Sequence, residues 1–263
     1  MNLLSFKLFD RPLDSLEIEN LLITTINAHS FNVVQKDIEF AEALQKSDVL
    51  LPDGISVVWA AKFLATGSNH PENNVNKKKG VTDKLLKKIA GEDLFYYEMN
   101  RLNTAGINQQ KKIAFFLGSS ELTLKKIKER SEIEFPNVEV FSYSPPYKTE
   151  FTEADNAAMY AAINSVLPDV LFVGMTAPKQ EKWAYNAMKN KQLKLVDCHI
   201  CCIGAVFDFY AGTVNRAPRW MIQIHLEWFY RLIMEPKRMW RRYLLGNLEF
   251  VLEILKEKVF KND

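Results

Sequence analysis

Six short apolar runs, spread over the first 204 residues and separated by stretches of helical periodicity, restrict the fold more than any other feature. LLITTIN (21–27), DVLLPD (48–53), KIAFFLGS (112–119), VEVFSYS (138–144), DVLFVGM (169–175) and LVDCHICCIG (195–204) read as strands. Most are apolar almost without interruption, the pattern of strands covered on both faces. Between them, GISVVWAAKFLA (54–65) reads as a helix, and Ser119 or Ser120 can cap ELTLKKIKERSEIE. Thr152 and Asp155 form a capping box before another helix, and PKQEKWAYNAMKN (178–190) carries Pro178 at a first helical position. This alternation predicts an α/β fold, a mostly parallel sheet with helices on both faces.

The tail has another character. From residue 213 strand signals vanish and two helical stretches follow, at about 219–234 and 237–260, so the expected division is a core of 1–212 and an appendage of 213–263. The appendage carries Arg216, Arg219, Arg231, Lys237, Arg238, Arg241 and Arg242 beside Trp220, Trp228, Phe229, Tyr230, Trp240 and Tyr243. Basic side chains interleaved with large amphipathic rings suit an anionic membrane surface. They also suit nucleic acid, or an ordinary helical pair packed on the sheet. Its apolar faces could pair subunits or meet lipid. Segment 66–88 is polar and rich in Asn and Lys; its first half reads as a mobile loop, and its lysine run either touches phosphate or is simply solvated.

A net charge of +2 on 263 residues singles out no partner. No apolar stretch reaches the roughly 20 residues needed to span a bilayer, so membrane contact is expected to be peripheral. The longest run, 49–65, is broken by Pro52, Asp53, Gly54 and Lys62. Cys198, Cys201 and Cys202 fall in one apolar run with no second ligand cluster. They read as strand residues rather than a zinc or redox site, and with no signal peptide they point to a reducing, cytoplasmic setting.

Chemistry is expected at the carboxyl ends of the strands, where open α/β sheets bind ligands. Asp53 ends the second run and precedes Gly54, which permits a tight turn and close substrate approach. Its carboxylate could take a proton from an attacking hydroxyl or cap the following helix. Thr24, Thr25 and Asn27 end the first run and suit sugar or phosphate contacts or a helix cap. Gly118, Ser119 and Ser120 form a strand-to-helix turn that favours an anion, without the full GxGxxG or Walker pattern. Tyr147, in YSPPY, could stack on a base or mark a surface turn. Thr176, Lys179, Gln180 and Glu181 follow the fifth run. Asp208 lies between two phenylalanines, where a charge is either bound to a ligand or locked to backbone. The four histidines form no nucleophilic or metal-ligand arrangement, which favours base-assisted transfer.

Together these segments resemble the WecG/TagA/CpsF glycosyltransferase family. PDVLFVGMTAPKQEKW is similar to its central motif and IGAVFDFYAGTVNRAPRWMIQIHLEWFYRLIMEPKRMWRRYL to its C-terminal signature. TTIN, LPDGISVVWAAK, AGEDLF and YSPPY fall in the family's order, so the resemblance covers about 20–250. It implies a Rossmann-like core with a membrane-docking helical appendage, and inverting, metal-independent transfer that needs no cofactor. The implied donor is a UDP-sugar and the acceptor a sugar on undecaprenyl pyrophosphate, at the inner face of the plasma membrane, with no nucleic-acid partner. Members similar to TagA transfer N-acetylmannosamine; others transfer the corresponding uronic acid or glucose. Carried over by motif, Asp53 matches the general base, Thr25 and Gln180 lie near the sugar, and Tyr147 and Asp208 lie near the uridine. Arg231, Arg238 and Arg241 match pyrophosphate-holding arginines. Asn27 and Gly118 complete the expected donor site. Two departures stand out. The 66–88 segment lengthens a short connection, and His225 stands where the pattern has glycine, a change a helix should tolerate.

Overall fold

The structure, a computed structural model, describes residues 1–66, 86–107 and 110–262, so nearly all of the 66–88 segment lies outside the described residues. The side chains of Arg219 and Arg238 also lie outside them.

All six apolar runs are strands: β1 (Leu21–Ile26), β2 (Val49–Pro52), β3 (Lys112–Gly118), β4 (Val138–Tyr143), β5 (Val170–Gly174) and β6 (His199–Cys202). They form one parallel sheet in the order β2-β1-β6-β5-β3-β4. The helices of the core are α1 (Ala28–Val34), α2 (Ile38–Gln45), α3 (Ile55–Ala65), α4 (Gly91–Ala105), α5 (Glu121–Glu134), α6 (Glu153–Asn164), α7 (Lys179–Lys189) and α8 (Val206–Tyr210). β1 leads outward to β2 on one side and β3 outward to β4 on the other. The carboxyl ends of the central strands therefore flank a crevice of the kind where α/β sheets bind ligands.

Side-chain alternation builds two cores from one sheet. Leu21 and Ile23 of β1 join Phe95, Phe116, Phe172, Phe207 and Tyr210 on one face. There the rings of Phe116 and Phe172 lie 5.0 Å apart and those of Phe95 and Phe172 5.3 Å apart. Leu22 joins Phe115, Leu171, Ile200 and Trp183 on the other. The same alternation separates the cysteines. Cys198 and Cys202 face the second cluster and Cys201 the first, so Cys198 and Cys201 point away from each other. All three are buried free thiols, and burial pushes each one's titration upward.

The predicted caps form. Ser120 Oγ accepts from the Thr123 N–H, and Thr152 and Asp155 exchange both bonds of a capping box. Pro178 is one residue earlier than expected, in the cap position before α7.

The tail differs more. The stretch expected as one helix over 219–234 is two, α9 (Arg219–Gln223) and α10 (Glu227–Met234). His225, at φ +60°, lies between them and not in a helix. The Leu226 N–H bonds to the Met221 carbonyl and the His225 N–H to that of Ile222, the paired bonds of a Schellman terminus whose left-handed residue is most often glycine. The glycine expected at 225 thus has a backbone reason, and histidine occupies a conformation it disfavours. Beyond it come α11 (Pro236–Trp240), a π-helical turn (Arg241–Leu245) and α12 (Gly246–Asn262).

α12 is fastened to the sheet-bearing unit. Phe250 and Ile254 are buried with Leu3, Phe6, Phe31 and Phe40, and the Phe31 and Phe250 rings meet edge to face at 5.5 Å. The buried Asn32 Nδ2 donates to the Gly246 carbonyl at 2.7 Å. Among the described residues no helix is long and apolar enough to cross a membrane.

Candidate active site

Because every strand is parallel, the carboxyl ends share one edge, and the sequence-predicted residues gather along it. Thr25 pairs in register with Leu51, and Asp53 follows just past the end of β2. The Asp53 N–H bonds to the Ile26 carbonyl at 2.9 Å, which ties the end of β2 to the end of β1. Asp53 is not spent as a helix cap: α3 begins at Gly54 with no side-chain cap. Nor does the backbone require glycine there. Gly54 has an extended φ of 175°, and an added Cβ would meet only ordinary contacts at 3.4 Å or more.

Asp53 is half-buried, and its carboxyl is pushed up to about 7. Burial is the largest cause. Lys88 opposes it, Glu227 and Asp93 reinforce it, and Arg231 opposes it. These four side chains come from three separate stretches of chain. Lys88 arrives because the Ile89 N–H bonds to the Pro52 carbonyl, laying the chain along the end of β2. Asp93 accepts from the Ala90 N–H at the start of α4. Glu227 and Arg231 are one turn apart on α10.

Asn27 caps α1, its Oδ1 accepting from the Ser30 N–H at 3.0 Å. Gln180 is buried at the start of α7, Oε1 accepting from the Met175 N–H at 3.2 Å and Nε2 donating to Glu181 at 2.8 Å. Gly118 (φ +116°) ends β3, where a Cβ would stand 2.5 Å from the Gly174 carbonyl oxygen. Gly174 in turn faces the Phe207 ring, 2.5 Å from where its own Cβ would be. The two glycines let β3, β5 and α8 close together. Ser119 follows in the left-handed region at φ 60°, and its hydroxyl donates to Asp208 Oδ1 at 3.5 Å, with Thr213 Oγ1 adding a contact at 3.4 Å. Asp208 therefore pins the 209–214 turn to the end of β3.

The tail reaches this edge through Arg231, whose guanidinium lies 4.9 Å from the Phe209 ring centre. With Phe209, Thr213, Val214, Tyr230 and Glu235 it lines a cavity of about 180 Å³. Arg216 pairs with Glu92 of α4 and, at 3.9 Å, with Glu227 of α10, bridging core and tail. Two predicted residues stand apart. Tyr147 is fully exposed beyond β4, and Arg241 is exposed, 5.3 Å from the Trp240 ring. Arg238 belongs to α11, but its side chain is outside the described residues.

An acid that keeps its proton to neutrality, beside a lysine and an arginine at the open edge of a parallel sheet, fits proton removal next to developing negative charge. The sequence profile of the glycosyl transferase WecG/TagA/CpsF family matches residues 8–263. The chain belongs to this family. It is 32% identical over 237 residues to the N-acetylglucosaminyldiphosphoundecaprenol N-acetyl-beta-D-mannosaminyltransferase of Bacillus subtilis (strain 168), spanning 90% of this chain and 80% of that protein. A protein of the same name from Bacillus spizizenii (strain W23) is 30% identical, covering 90% of this chain and 79% of its own length. One from Staphylococcus aureus (strain MW2) is 24% identical, over 92% and 83%. The chain is thus a glycosyltransferase, as its motifs imply.

For a WecG/TagA/CpsF enzyme the informative additions are the residues that sequence reasoning passed over. Lys88 ends a segment whose lysines were left between phosphate contact and solvent, and nothing in that run separates its last lysine from the others. Asp93 and Glu227 resemble ordinary first-turn acids. Arg216 was visible as one of the tail cations, but only the fold shows that it crosses to Glu92.

Proposed function

We propose that this chain is an inverting hexosyltransferase that moves N-acetylmannosamine or a related hexose from a UDP-sugar to a sugar carried on undecaprenyl pyrophosphate. Transfer proceeds without a metal, at the inner face of the plasma membrane, in the synthesis of a cell-surface polysaccharide. The observation that carries the reading is Asp53, half-buried where its N–H ties the end of β2 to the Ile26 carbonyl of β1, and within electrostatic reach of Lys88 and Arg231. The relatives' names, which specify a mannosaminyl group and a diphosphoundecaprenol acceptor, support the substrate class.

In the proposed step Asp53, ionised, takes the proton from the acceptor hydroxyl as its oxygen attacks the anomeric carbon. The bond from that carbon to the UDP oxygen breaks on the opposite face, and a single displacement inverts the configuration. UDP leaves with the bonding pair, and Lys88 and Arg231 offset its charge. Arginine suits this role because its planar fork can make paired bonds to phosphate oxygens. Arg238 and Arg241 are assigned the same role when the tail closes over a bound donor. Thr25, Asn27 and Gln180 are assigned to the sugar, and Gly118, Asp208 and Tyr147 to the nucleotide.

The test is direct. Purified protein is offered a panel of UDP-sugars with a polyprenyl-diphosphate N-acetylglucosamine acceptor, and products are identified by mass. Gain of one hexosyl residue, with UDP released, is the expected outcome. No transfer from any donor in the panel overturns the reading.

A further inference from the structure

The proposed mechanism gives no part to Glu181, yet its environment is the most demanding of any acid described. Glu181 lies in the first turn of α7 with 1% of its surface exposed. One carboxyl oxygen, Oε1, accepts from Gln180 Nε2 at 2.8 Å. The other, Oε2, is buried without a hydrogen-bond partner. An unsatisfied carboxylate oxygen inside a protein is unfavourable, so the residue calls for an explanation beyond packing.

Gln180 supplies one. A glutamine carboxamide has two ends of opposite hydrogen-bonding character, and its flip must be deduced from its partners. Met175 offers a backbone N–H, which can only donate, and it meets Oε1. An ionised carboxylate can only accept, and it meets Nε2. Both partners demand the same flip. The carboxamide lies against Gly204 at the end of β6, both its oxygen and its nitrogen 3.6 Å from where a Cβ would stand there. One Nε2 hydrogen is used by Glu181, and one remains.

We infer that Glu181 is a positioning residue: it locks the Gln180 carboxamide in one flip, so that the free Nε2 hydrogen is held ready as a donor to the sugar. This rests on the proposed role of Gln180 at the donor sugar. Protonation at the unpartnered Oε2 leaves Oε1 an acceptor but removes the charge behind its bond from Nε2, and burial pushes that protonation up to about 7. Of the other titratable groups nearby, Cys202 on β6 keeps its proton well above this range because it is buried. On the α2 side, Lys182 is paired with Asp37 and Glu39.

Two measurements test the inference. The first is independent of activity. The Gln180 side-chain amide signals, assigned by their loss in Q180A, should shift with a midpoint near pH 7 in the native chain. In Glu181→Gln they should stay constant with pH, and in Glu181→Ala they should be displaced. Signals unaffected by Glu181→Ala overturn the inference even if the chain transfers no sugar, a result that would separately end the functional reading. The second is a kinetic cycle. Glu181→Ala should lower kcat by about tenfold or more with little change in KM, Glu181→Gln should recover most of it, and the double variant with Q180A should be no slower than Q180A alone. Losses that multiply indicate independent roles and overturn the inference, as does a folded Glu181→Ala with native kcat. If Glu181→Ala does not fold, the pH response of the amide signals in the native chain against Glu181→Gln decides.

Discussion

An aspartate that holds its proton until about pH 7 is a weak base in acid and a competent one just above neutrality. For the free enzyme kcat/KM should therefore fall about tenfold per pH unit below 7. Lys88 and Arg231 favour the charged form, so Lys88→Ala should move that limb to higher pH, and Glu227→Gln should move it lower. Asp53→Asn should lose at least two orders of magnitude in kcat while still binding UDP, measured by titration calorimetry; retained turnover removes Asp53 from the mechanism. Glu181 gives a stability counterpart. Its folded value lies above that of the unfolded chain, so the folded state keeps a proton that the unfolded state has released. Stability is lost as pH rises from about 4.5 to about 7 and is level above. Relative to native protein, Glu181→Gln should gain about 3 kcal/mol across that window, read from denaturant midpoints at pH 4.5 and 8. Asp53 was legible in the sequence because it ends an apolar run just before a helix. Glu181 was named only as one of four residues after the fifth run, and Asp93 was not singled out, because burial and charge neighbours decide their roles and neither is written in local spacing.

At the scale of elements, the six strands could be read because a strand covered on both faces must be apolar at every position. β4, at the edge, shows the exception that confirms the cause: Val138 and Val140 are buried while Glu139 is exposed. The tail was harder. A helical period runs through 219–234, but a single left-handed residue ends α9, and sequence periodicity carries no signal for backbone handedness when the residue is histidine. Substituting His225→Gly should relieve about 1 kcal/mol of backbone strain, seen as a higher unfolding midpoint, and His225→Val should lower it. Glycine identity is also decisive where β5 meets α8. A methyl at Gly174 would strike the Phe207 ring, so Gly174→Ala should cost about 1–3 kcal/mol, measured by urea unfolding. Gly54→Ala should be nearly neutral, since neither its φ nor its surroundings need glycine.

Over the whole molecule, α12 has two unlike sides. The inner side of α12 completes the core through Phe250 and Ile254, so Phe250→Ala should cost about 3–5 kcal/mol and a chain ending before α12 should be unstable. The outer side carries Leu248, Val251, Leu252, Leu255 and Val259, all at least two-fifths exposed, and Leu244 and Leu245 of the preceding π-helical turn are exposed too. Trp59 and Phe63 of α3, which packs beside α12, are exposed as well. A water-facing stripe of this extent is unfavourable unless something covers it, and the proposed membrane docking supplies a cover. Replacing Leu252 and Leu255 with aspartate should leave the fold intact, because neither is buried, and should abolish co-sedimentation with anionic vesicles. Charge-neutral vesicles should bind the native chain more weakly, and added salt should weaken the anionic case through screening. If the doubly substituted chain still sediments with vesicles, the stripe is not the docking surface. If that chain instead changes from dimer to monomer by light scattering, a second copy of the chain covers the stripe. Coupling to catalysis follows from Arg216, which joins α10 to α4 and so to the elements that bring Asp93 and Lys88 to Asp53. Breaking that bridge with Arg216→Ala should lower kcat/KM while vesicle binding stays as in the native chain, since Arg216 faces the core and not the exposed stripe.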